Sequence, residues 1–456
     1  MKSSFVLENA DIYPIPVGSW FDAPEEDYVL MYAPWSDNAM IVSPDYVQKM
    51  EDWIKAPGSC TDEEIHGAMI ALSEKDPEKK AARLVSPNDF TRLAILPNNV
   101  CNFSCSYCYS AQGRSGKIID KEILKKTLEH FIDSKRIKAP MLFIAILGGG
   151  EPMLSWDHVK FILEYGQALA DAHGFKTDFS LVTNGSVIND EIISVLKKYN
   201  VTVSVSFEIL ESIQNMQRGS YQIVSRNIKQ LIDNGIIPKL RATITPENVL
   251  LQEQMIQEVI SVYPKVTDIM TEAVTDAESF KNSQDFRDFY NQYINHFFKA
   301  WKIGLEHGKN VECSASRNFN LLIERFCPGE FALTPDGLIS MCTRITAPAD
   351  PGFSESIYGF FDKDYKLIID ELQFQSLADD NVYSKEKCKY CFAKWQCGGG
   401  CMAWKYVYQP EALEEICEFT RNFTKRMILE KLNQQYLKES GLSLKESVLS
   451  ATGICE

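Results

Sequence analysis

Residues 90–300 alternate apolar runs with amphipathic stretches, and this alternation constrains the fold more than any other feature of the chain. The apolar runs are LAILP, FIAILGG, DFSLVTN, VTVSVSFE, KLRATIT and DIMTEAV, and helix-like segments such as 121–135, 155–172 and 189–198 lie between them. Strands that alternate with helices form a parallel sheet covered by helices. In such folds the functional residues lie at the carboxyl ends of the strands. The sequence therefore predicts an α/β domain with its site at that edge.

Three cysteines follow the first apolar run at a C-x3-C-x2-C spacing, in the segment CNFSCSYCY. Thiolates of Cys101, Cys105 and Cys108 can bind three irons of a [4Fe–4S] cube and leave the fourth iron without a protein ligand. A structural zinc site is the alternative, but such sites usually pair C-x2-C units and close all four ligand positions. The spacing favours a cluster with one open iron, at which chemistry can take place.

A glycine-rich turn follows the second apolar run, in MLFIAILGGGEPML. Glycines at 148–150 let the backbone approach a ligand closely. The carboxylate of Glu151 can accept hydrogen bonds from an ammonium group. Taken alone, the glycine triplet is only a turn. Its place after the second strand puts it at the same predicted edge as the cysteine triplet.

The cysteine triplet with its aromatic neighbours Phe103, Tyr107 and Tyr109, together with the GGEP element, resembles the radical S-adenosylmethionine (SAM) superfamily. The resemblance implies a partial (β/α)6 TIM-like barrel in which the methionine amine and carboxylate of SAM chelate the open iron. It also implies that SAM is contacted by seven residues: Tyr107, Gly149, Gly150, Glu151, Asn184, Ser206 and Arg218. The last three residues have alternative roles: Asn184 as a helix cap, Ser206 as a polar residue of a strand and Arg218 as a surface charge. The chain reads SFEILES, with Glu208, where many related enzymes have an S-x-D-G-like turn.

Further cysteines cluster in the C-terminal third. From Cys327 the chain reads C-x9-G-x4-C, and from Cys388 it reads C-x2-C-x5-C-x3-C, with Cys417 sixteen positions later. This pattern resembles the SPASM extension of the superfamily, which binds two auxiliary [4Fe–4S] clusters. The resemblance assigns one cluster to Cys313, Cys327, Cys342 and Cys401, and the other to Cys388, Cys391, Cys397 and Cys417. A zinc ribbon is the alternative for CKYCFAKWQC. With the first motif this predicts three [4Fe–4S] clusters, and Cys60 and Cys455 are predicted to be unliganded.

About ninety residues precede the first apolar run of the predicted barrel. The runs YVLMYA and AMIVS, joined by PWSDN, predict a β-hairpin. Two helices should follow, one over 46–54 and one beginning at Thr61, where Glu64 three residues later indicates a capping box. This order resembles the winged-helix peptide-recognition domain of enzymes that modify ribosomally made peptides, and a simple cap over the barrel is the alternative. We predict a recognition domain over 1–88, a radical SAM barrel over 89–305 and an auxiliary-cluster domain with a closing helix over 306–456.

Charge and composition narrow the class of partner. The 456 residues include 47 basic and 62 acidic side chains, a formal charge of −15. Such a balance disfavours nucleic acids and anionic membranes, which are bound by clustered Lys and Arg. No run reaches membrane-span length, and the first residues lack a signal-peptide pattern. A cytoplasmic enzyme that acts on neither nucleic acid nor membranes is therefore expected, with RNA modification disfavoured.

Two sequence features bear on the substrate. The resemblance to the SPASM group implies an enzyme that modifies a peptide or a protein. Anaerobic sulfatase maturases, which generate formylglycine, typically have Asp directly after the second cysteine of the C-x9-G-x4-C element and lack a long N-terminal unit, whereas here Thr343 follows Cys342. Both differences favour thioether-forming maturases of ribosomal peptides (RiPPs), of the sactipeptide or ranthipeptide kind. Expected partners are a precursor peptide, bound by its leader, and a flavodoxin- or ferredoxin-type reductant.

Alternatives to thioether formation stay open. Sulfatase maturation and carbon–carbon crosslinking use the same cofactors. An alternative of a different class is a non-catalytic iron–sulfur electron carrier or redox sensor, which the intact GGEP element argues against.

Overall fold

The computed structural model describes residues 5–57, 61–77, 86–327 and 329–451. Cys60 and Cys455, predicted to be unliganded, lie outside the described residues. Within the described part of the chain, no helix has both the length and the apolar character needed to cross a lipid bilayer.

The N-terminal unit is a three-stranded antiparallel sheet packed against short helices. Its elements are α1 (Phe5–Glu8), β1 (Tyr13–Pro16), β2 (Val29–Ala33), β3 (Asn38–Val42), α2 (Pro44–Lys55) and α3 (Glu63–Ser73). The predicted hairpin is confirmed as β2 and β3, which pair antiparallel. The predicted capping box at Thr61 is wrong, because Asp62 is the N-cap of α3 and accepts from the Ile65 N–H at 3.2 Å. Strand β1 was not predicted, because its two prolines are untypical of a strand.

Six parallel strands and their helices form the centre of the molecule, as the alternating pattern predicts. The elements are β4 (Arg92–Ile95), α4 (Lys121–Phe131), β5 (Met141–Ile146), α5 (Trp156–His173), β6 (Lys176–Thr183), α6 (Asp190–Lys198), β7 (Thr202–Ser206), α7 (Glu211–Gln217), α8 (Tyr221–Asp233), β8 (Lys239–Ile244), α9 (Gln252–Val262), β9 (Asp268–Ala273) and α10 (Ser283–Glu306). Neighbouring strands from β4 to β9 pair in sequence order and in parallel. Their carboxyl ends therefore meet at one edge.

The C-terminal third extends the same sheet. It contains β10 (Asn310–Glu312), α11 (Ser314–Asn318), β11 (Phe331–Leu333), β12 (Leu338–Ser340), α12 (Phe353–Ser356), β13 (Ile357–Phe361), β14 (Leu367–Ile369), α13 (Glu371–Ala378), α14 (Lys394–Cys397), α15 (Trp404–Val407), α16 (Pro410–Ser440) and α17 (Leu444–Ala451). Strand β10 pairs with β9, and β11 pairs in parallel with β4 at the opposite edge, followed by β12 to β14. Cys313 thus follows the strand at one edge of the six-stranded core, and Cys327 and Cys342 flank the β11–β12 hairpin at the other edge.

Strand alternation separates the two faces of the core. In β8, Leu240, Ala242 and Ile244 are at most 2% exposed and belong to the main hydrophobic cluster, whereas Arg241 and Thr243 are only partly buried. Successive residues of a strand point to opposite faces. One face therefore packs under the helices, and the other carries polar side chains.

The N-terminal unit packs directly on the second cysteine-rich segment. The rings of Trp35 and Trp395 meet edge to face with centroids 5.0 Å apart. Asp11 Oδ1 lies 2.7 Å from Lys394 Nζ and accepts from Trp395 Nε1 at 3.2 Å. Helix α14, which ends at Cys397, is therefore held between the N-terminal sheet and the rest of the C-terminal segment.

Candidate functional site

The first cysteine motif lies in a long loop between β4 and α4, at the carboxyl edge of the parallel strands. All three thiols are half-buried. Burial raises the pKa of the Cys105 thiol, the Arg218 charge opposes this shift, and Cys108 and Cys101 raise the pKa further. Because Cys108 and Cys101 both act on the pKa of Cys105, the three thiols lie close together. An adjacent cation favours the deprotonated thiolates that iron requires.

The glycine-rich turn packs against the backbone just before this loop. The Glu151 N–H donates to the Val100 carbonyl at 2.7 Å. A Cβ at Gly150 would lie 2.0 Å from the same carbonyl oxygen, and one at Gly149 would lie 2.5 Å from Asn99 Oδ1. Any side chain at these two positions would separate the turn from the cysteine loop. The glycines are needed for this close approach, and the two motifs form one structural unit.

Asn98 joins the two motifs, although the sequence did not identify it as a site residue. Its side chain is fully buried, donating to the Glu151 carbonyl at 3.0 Å and to Ser155 Oγ at 2.8 Å and accepting from the Val100 N–H at 3.0 Å. Buried polar groups usually have such partners. The Asn98–Asn99 pair, separated from the first cysteine only by Val100, was the available signal.

The Glu151 carboxylate points into the protein rather than outward. It accepts from Thr183 Oγ1 at 2.6 Å, from the Asn184 N–H at 2.6 Å and from the Met153 N–H at 3.1 Å. Burial raises the pKa of Glu151, and these three hydrogen bonds oppose the shift. A carboxylate has about four lone-pair positions, so roughly one is left for another donor. The contact of Glu151 with a SAM ammonium group stays a prediction.

Asn184 connects the end of β6 to the cysteine loop. Its Nδ2 donates to Asn102 Oδ1 at 2.9 Å, and its Oδ1 accepts from the Ser186 N–H at 2.9 Å. The side chain is 7% exposed. Asn184 therefore lies beside the first cysteine, and its predicted contact with SAM would use the small remaining accessible area.

Glu208 organises the other side of the cysteine loop. It is fully buried, accepts from the Tyr107 hydroxyl, lies 2.7 Å from Arg218 Nε and accepts from the Thr243 N–H at 2.9 Å. Arg218 in turn points Nη1 at the Cys105 sulfur, 3.7 Å away. The carboxylate thus orients two predicted SAM contacts toward the motif. Because it has no exposed surface, it is a positioning residue for them.

Ser206 is the last residue of β7 and is partly buried. It is in register with Arg241 of β8, on the polar face of the sheet. Among the described residues, its hydroxyl makes no hydrogen bond. Its contact with the SAM ribose stays a prediction.

The Glu208→Gln variant should be strongly destabilised. Removing one partner of a buried ion pair leaves the other charge uncompensated and typically costs about 3–5 kcal/mol. Chemical denaturation of the anaerobically reconstituted protein, followed by circular dichroism, would measure this. The matched control is Glu191→Gln, which breaks the exposed Glu191–Lys160 pair and should cost below about 1 kcal/mol. Equal stability of the two variants would contradict the assigned role of Glu208.

The second cysteine-rich segment surrounds a cavity. Cys388, Cys391, Cys397 and Cys417 all line a space of about 350 Å³. Burial, followed by the charges of the other three thiols, raises the pKa of Cys397 to about 12. Four cysteine sulfurs facing one enclosed space match the donor set of a [4Fe–4S] cluster. The predicted membership of this cluster therefore fits the geometry, and Cys401 also lines the cavity.

Three of the four cysteines predicted for the other auxiliary cluster also lie together. Burial raises the pKa of Cys327 to about 12, and Cys342 contributes. After burial, the Cys401 thiol contributes most to the raised pKa of Cys342. Arg325, which the sequence analysis missed, lies beside all three thiols and is 7% exposed. A buried cation there would balance the negative charge of a thiolate-bound cluster.

Cys313, the predicted fourth ligand, is buried at the start of α11. Burial raises its pKa to about 12, and its strongest neighbours are Glu272, Ser316 and Tyr293. None of these is a predicted cluster ligand. Its assignment to the cluster of Cys327, Cys342 and Cys401 stays a prediction.

Within the described residues, no three His, Cys, Asp or Glu side chains converge closely enough to hold a single metal ion. A [4Fe–4S] cube does not require such convergence, because each thiolate binds a different iron. The donor chemistry of the three cysteine sets suits clusters of this kind.

Comparison with known proteins agrees with the geometry of the first site. Residues 95–258, which span the cysteine loop, the glycine turn and the strands up to β8, match the family model described as the radical SAM superfamily. The chain contains a radical SAM domain. The superfamily implies a [4Fe–4S] cluster and SAM as cofactors, and the cysteine loop with its glycine turn is where this chain would hold them.

Two curated relatives extend the comparison. The radical SAM cyclopropyl synthase TigE of Paramaledivibacter caminithermalis is 29% identical over 34% of this chain and 34% of its own length. The serine-type anaerobic sulfatase-maturating enzyme of Klebsiella aerogenes is 22% identical over 71% of this chain and 82% of its own length. The chain thus spans about a third of the first relative and most of the second.

A solved structure confirms the predicted fold class. Native anSMEcpe with bound AdoMet and Cp18Cys peptide superimposes with a TM-score of 0.55 at 16% identity, covering 74% of this chain and 98% of that one. The fold is therefore the partial α/β barrel of radical SAM enzymes.

Proposed function

We propose that the protein is a radical SAM peptide maturase that installs a Cys thioether crosslink in a ribosomally made precursor peptide. The observation that carries the proposal is the joining of two elements in one chain: a radical SAM domain and two further sets of clustered cysteines, which are buried or half-buried. Relatives point to the same broad class, since the K. aerogenes enzyme is named as a sulfatase maturase and anSMEcpe binds a peptide. Peptide modification is the shared feature.

Different residues of the chain have different roles in the proposed reaction. When bound, the first cluster and SAM supply a 5′-deoxyadenosyl radical that takes hydrogen from an unactivated carbon. Cys101, Cys105 and Cys108 would hold that cluster, and Arg218 places positive charge beside it. The remaining cysteine sets would hold clusters able to accept the electron that oxidative crosslinking releases. Thioether formation then removes two hydrogens in all, one from carbon and one from the Cys thiol.

The N-terminal sheet supplies a docking edge for an extended leader. In the order β1-β2-β3, both β1 and β3 are edge strands. Strand β1 contains Pro14 and Pro16, which have no N–H to donate to an added strand. Strand β3 has no proline. Addition of a peptide strand, the usual means of binding at a sheet edge, is therefore expected at β3.

Hydrogen exchange would test leader binding. Addition of the full-length precursor should slow amide exchange at Asn38–Val42 and leave exchange in α4, a helix of the barrel, unchanged. Protection confined to β1, or to the barrel, would contradict docking at β3. Deleting residues 1–88 is a poorer test, because it would uncover Trp395 and leave Lys394 without Asp11.

Mass spectrometry would test the reaction. The anaerobically reconstituted protein, SAM, dithionite and a Cys-containing precursor should yield 5′-deoxyadenosine and a peptide lighter by two hydrogens, with one thiol fewer for alkylation. A formylglycine product without a linkage would favour the sulfatase-maturase alternative. Linkage with all thiols still free would indicate a carbon–carbon crosslink. Failure to cleave SAM would leave the electron-carrier alternative.

A further inference from the structure

The polar face of the sheet carries an unpaired cation beside a carboxylate. Arg241 of β8 is in register with Met270 of β9, and Glu272 lies two residues further along on the same face. Among the described residues, the Arg241 guanidinium donates no hydrogen bond and forms no ion pair. Arg241 is partly buried, and its guanidinium group has five N–H donors, which are available for a ligand.

A second cation reaches the same place from the C-terminal segment. Arg344 follows the predicted cluster ligand Cys342 by two residues, and its guanidinium carbon lies 4.6 Å from the centroid of the Tyr109 ring. Its Nη1 donates to Thr275 Oγ1 at 3.0 Å. The charges of Arg241 and Arg344 both act on Glu272 and on Tyr109. The two guanidinium groups therefore both lie near Glu272 and Tyr109.

Two side chains that lie near both guanidinium groups keep exposed surface. Tyr109, next to the first cysteine motif, is 47% exposed although it lies at the carboxyl edge among packed elements. Glu272 is partly exposed, yet burial is the main cause of its raised pKa. A group that solvent can reach and that protein atoms also surround lies in a recess. One oxygen of Glu272 accepts two hydrogen bonds from Ser314, at 2.9 and 2.8 Å.

We propose that Arg241 and Arg344 form a recognition site for a carboxylate of the substrate peptide, the side chain of an Asp or Glu near the residue that is modified. The Arg344 charge also acts on the Cys342 thiol, whereas Arg241 makes no hydrogen bond or ion pair with the described residues and keeps its donors for a ligand in the partly desolvated recess. Arginine binds carboxylates by two parallel hydrogen bonds, which fixes orientation as well as charge. The recess adjoins the first cysteine motif through Tyr109. A peptide anchored there lies beside the carbon-activating site. This inference rests on the proposed peptide-modifying function.

Binding of a matched peptide pair tests the site without requiring turnover. The probes are fluorescein-labelled pentapeptides of sequence Ala-Cys-Ala-Asp-Ala and Ala-Cys-Ala-Asn-Ala with blocked ends, added to the full-length reconstituted protein with SAM and no reductant. Loss of a hydrogen bond to a charged group corresponds to roughly 10- to 100-fold in affinity. The wild type should prefer the acidic peptide by about that factor, and Arg241→Gln should lose the preference.

Three companion variants make the outcome specific. Arg241→Lys keeps the charge and should keep part of the preference. Glu272→Gln removes the internal competitor and should tighten binding of the acidic peptide. Arg287→Gln, which removes an exposed guanidinium paired with Glu415, should behave as wild type. Equal binding of the two peptides by the wild type would overturn the proposal. So would a loss of SAM affinity in Arg241→Gln with the acid preference intact, since that would assign the guanidinium to the cofactor.

The outcomes separate this inference from the proposed function. Suppose that the protein prefers the acidic peptide but that no peptide loses two hydrogens when reductant is added. This result would count against thioether formation and not against the carboxylate site. Thioether formation without a preference for the acidic peptide would count against the carboxylate site and not against thioether formation.

Discussion

Replacing Cys101, Cys105 and Cys108 together by Ala is expected to abolish SAM cleavage. Without the three thiolates no cube is held with its open iron beside the bound SAM, and the Arg218 charge then lies beside no cluster. Enzymes accelerate their reactions by at least about a million-fold, so 5′-deoxyadenosine should fall to the level given by SAM and dithionite alone. Liquid chromatography of the reconstituted variant with dithionite would measure this.

The control for this variant is Cys60→Ala, which removes a cysteine outside the three sets and should cleave SAM at the wild-type rate. Iron analysis supports the comparison, since the triple variant should lose about four of about twelve irons per chain. Deoxyadenosine production by the triple variant after reconstitution would show that the catalytic cluster is held elsewhere.

Loss of an auxiliary ligand should separate SAM cleavage from product formation. Cys391→Ala removes one sulfur from the cavity that it shares with Cys388, Cys397 and Cys417, while the first cysteine loop is unchanged. SAM cleavage should continue, and crosslinked peptide should fall below detection because the electron from the substrate has no acceptor. Cys342→Ala, at the other set, should behave in the same way.

Parallel measurements of deoxyadenosine and of peptide mass would check this result. An exposed nearby substitution, Lys389→Gln, is the matched control and should leave both products unchanged. If metal analysis of the wild-type protein found about four irons per chain together with bound zinc, the assignment of both auxiliary clusters would be wrong. Crosslinking at the wild-type rate by Cys391→Ala would show that this set is structural.

The radical SAM assignment was within reach of the sequence because its signals are local. The C-x3-C-x2-C spacing and the glycine turn are read from consecutive residues, and alternation of apolar runs with helices predicts a parallel sheet whose functional residues share one edge. All six predicted strands are present. The capping box at Thr61 was wrong because Asp62, one residue later, caps the helix. Such a choice depends on the local backbone angles.

The roles of several polar residues were decided by the tertiary structure alone. The contact of Glu151 with an ammonium group stays a prediction, and the structure adds that its carboxylate accepts hydrogen bonds from Thr183 and from two nearby backbone N–H groups. Glu208 and Arg218 are ten residues apart and form a buried ion pair that no spacing rule predicts. Hydrogen bonds and ion pairs of this kind depend on which side chains meet across the sheet edge.

The sequence by itself indicated the radical SAM domain and the order of its strands and helices, and it predicted the sets of cysteines, because ligand spacing and hydrophobic periodicity are properties of neighbouring residues. Only the tertiary structure placed Arg241 of β8, Glu272 of β9 and Arg344 of the C-terminal segment around one recess. It also packed the N-terminal sheet against Trp395. The physical reason is that charge pairing and burial act through space between residues that are distant in the chain, and no local pattern records which of them will meet.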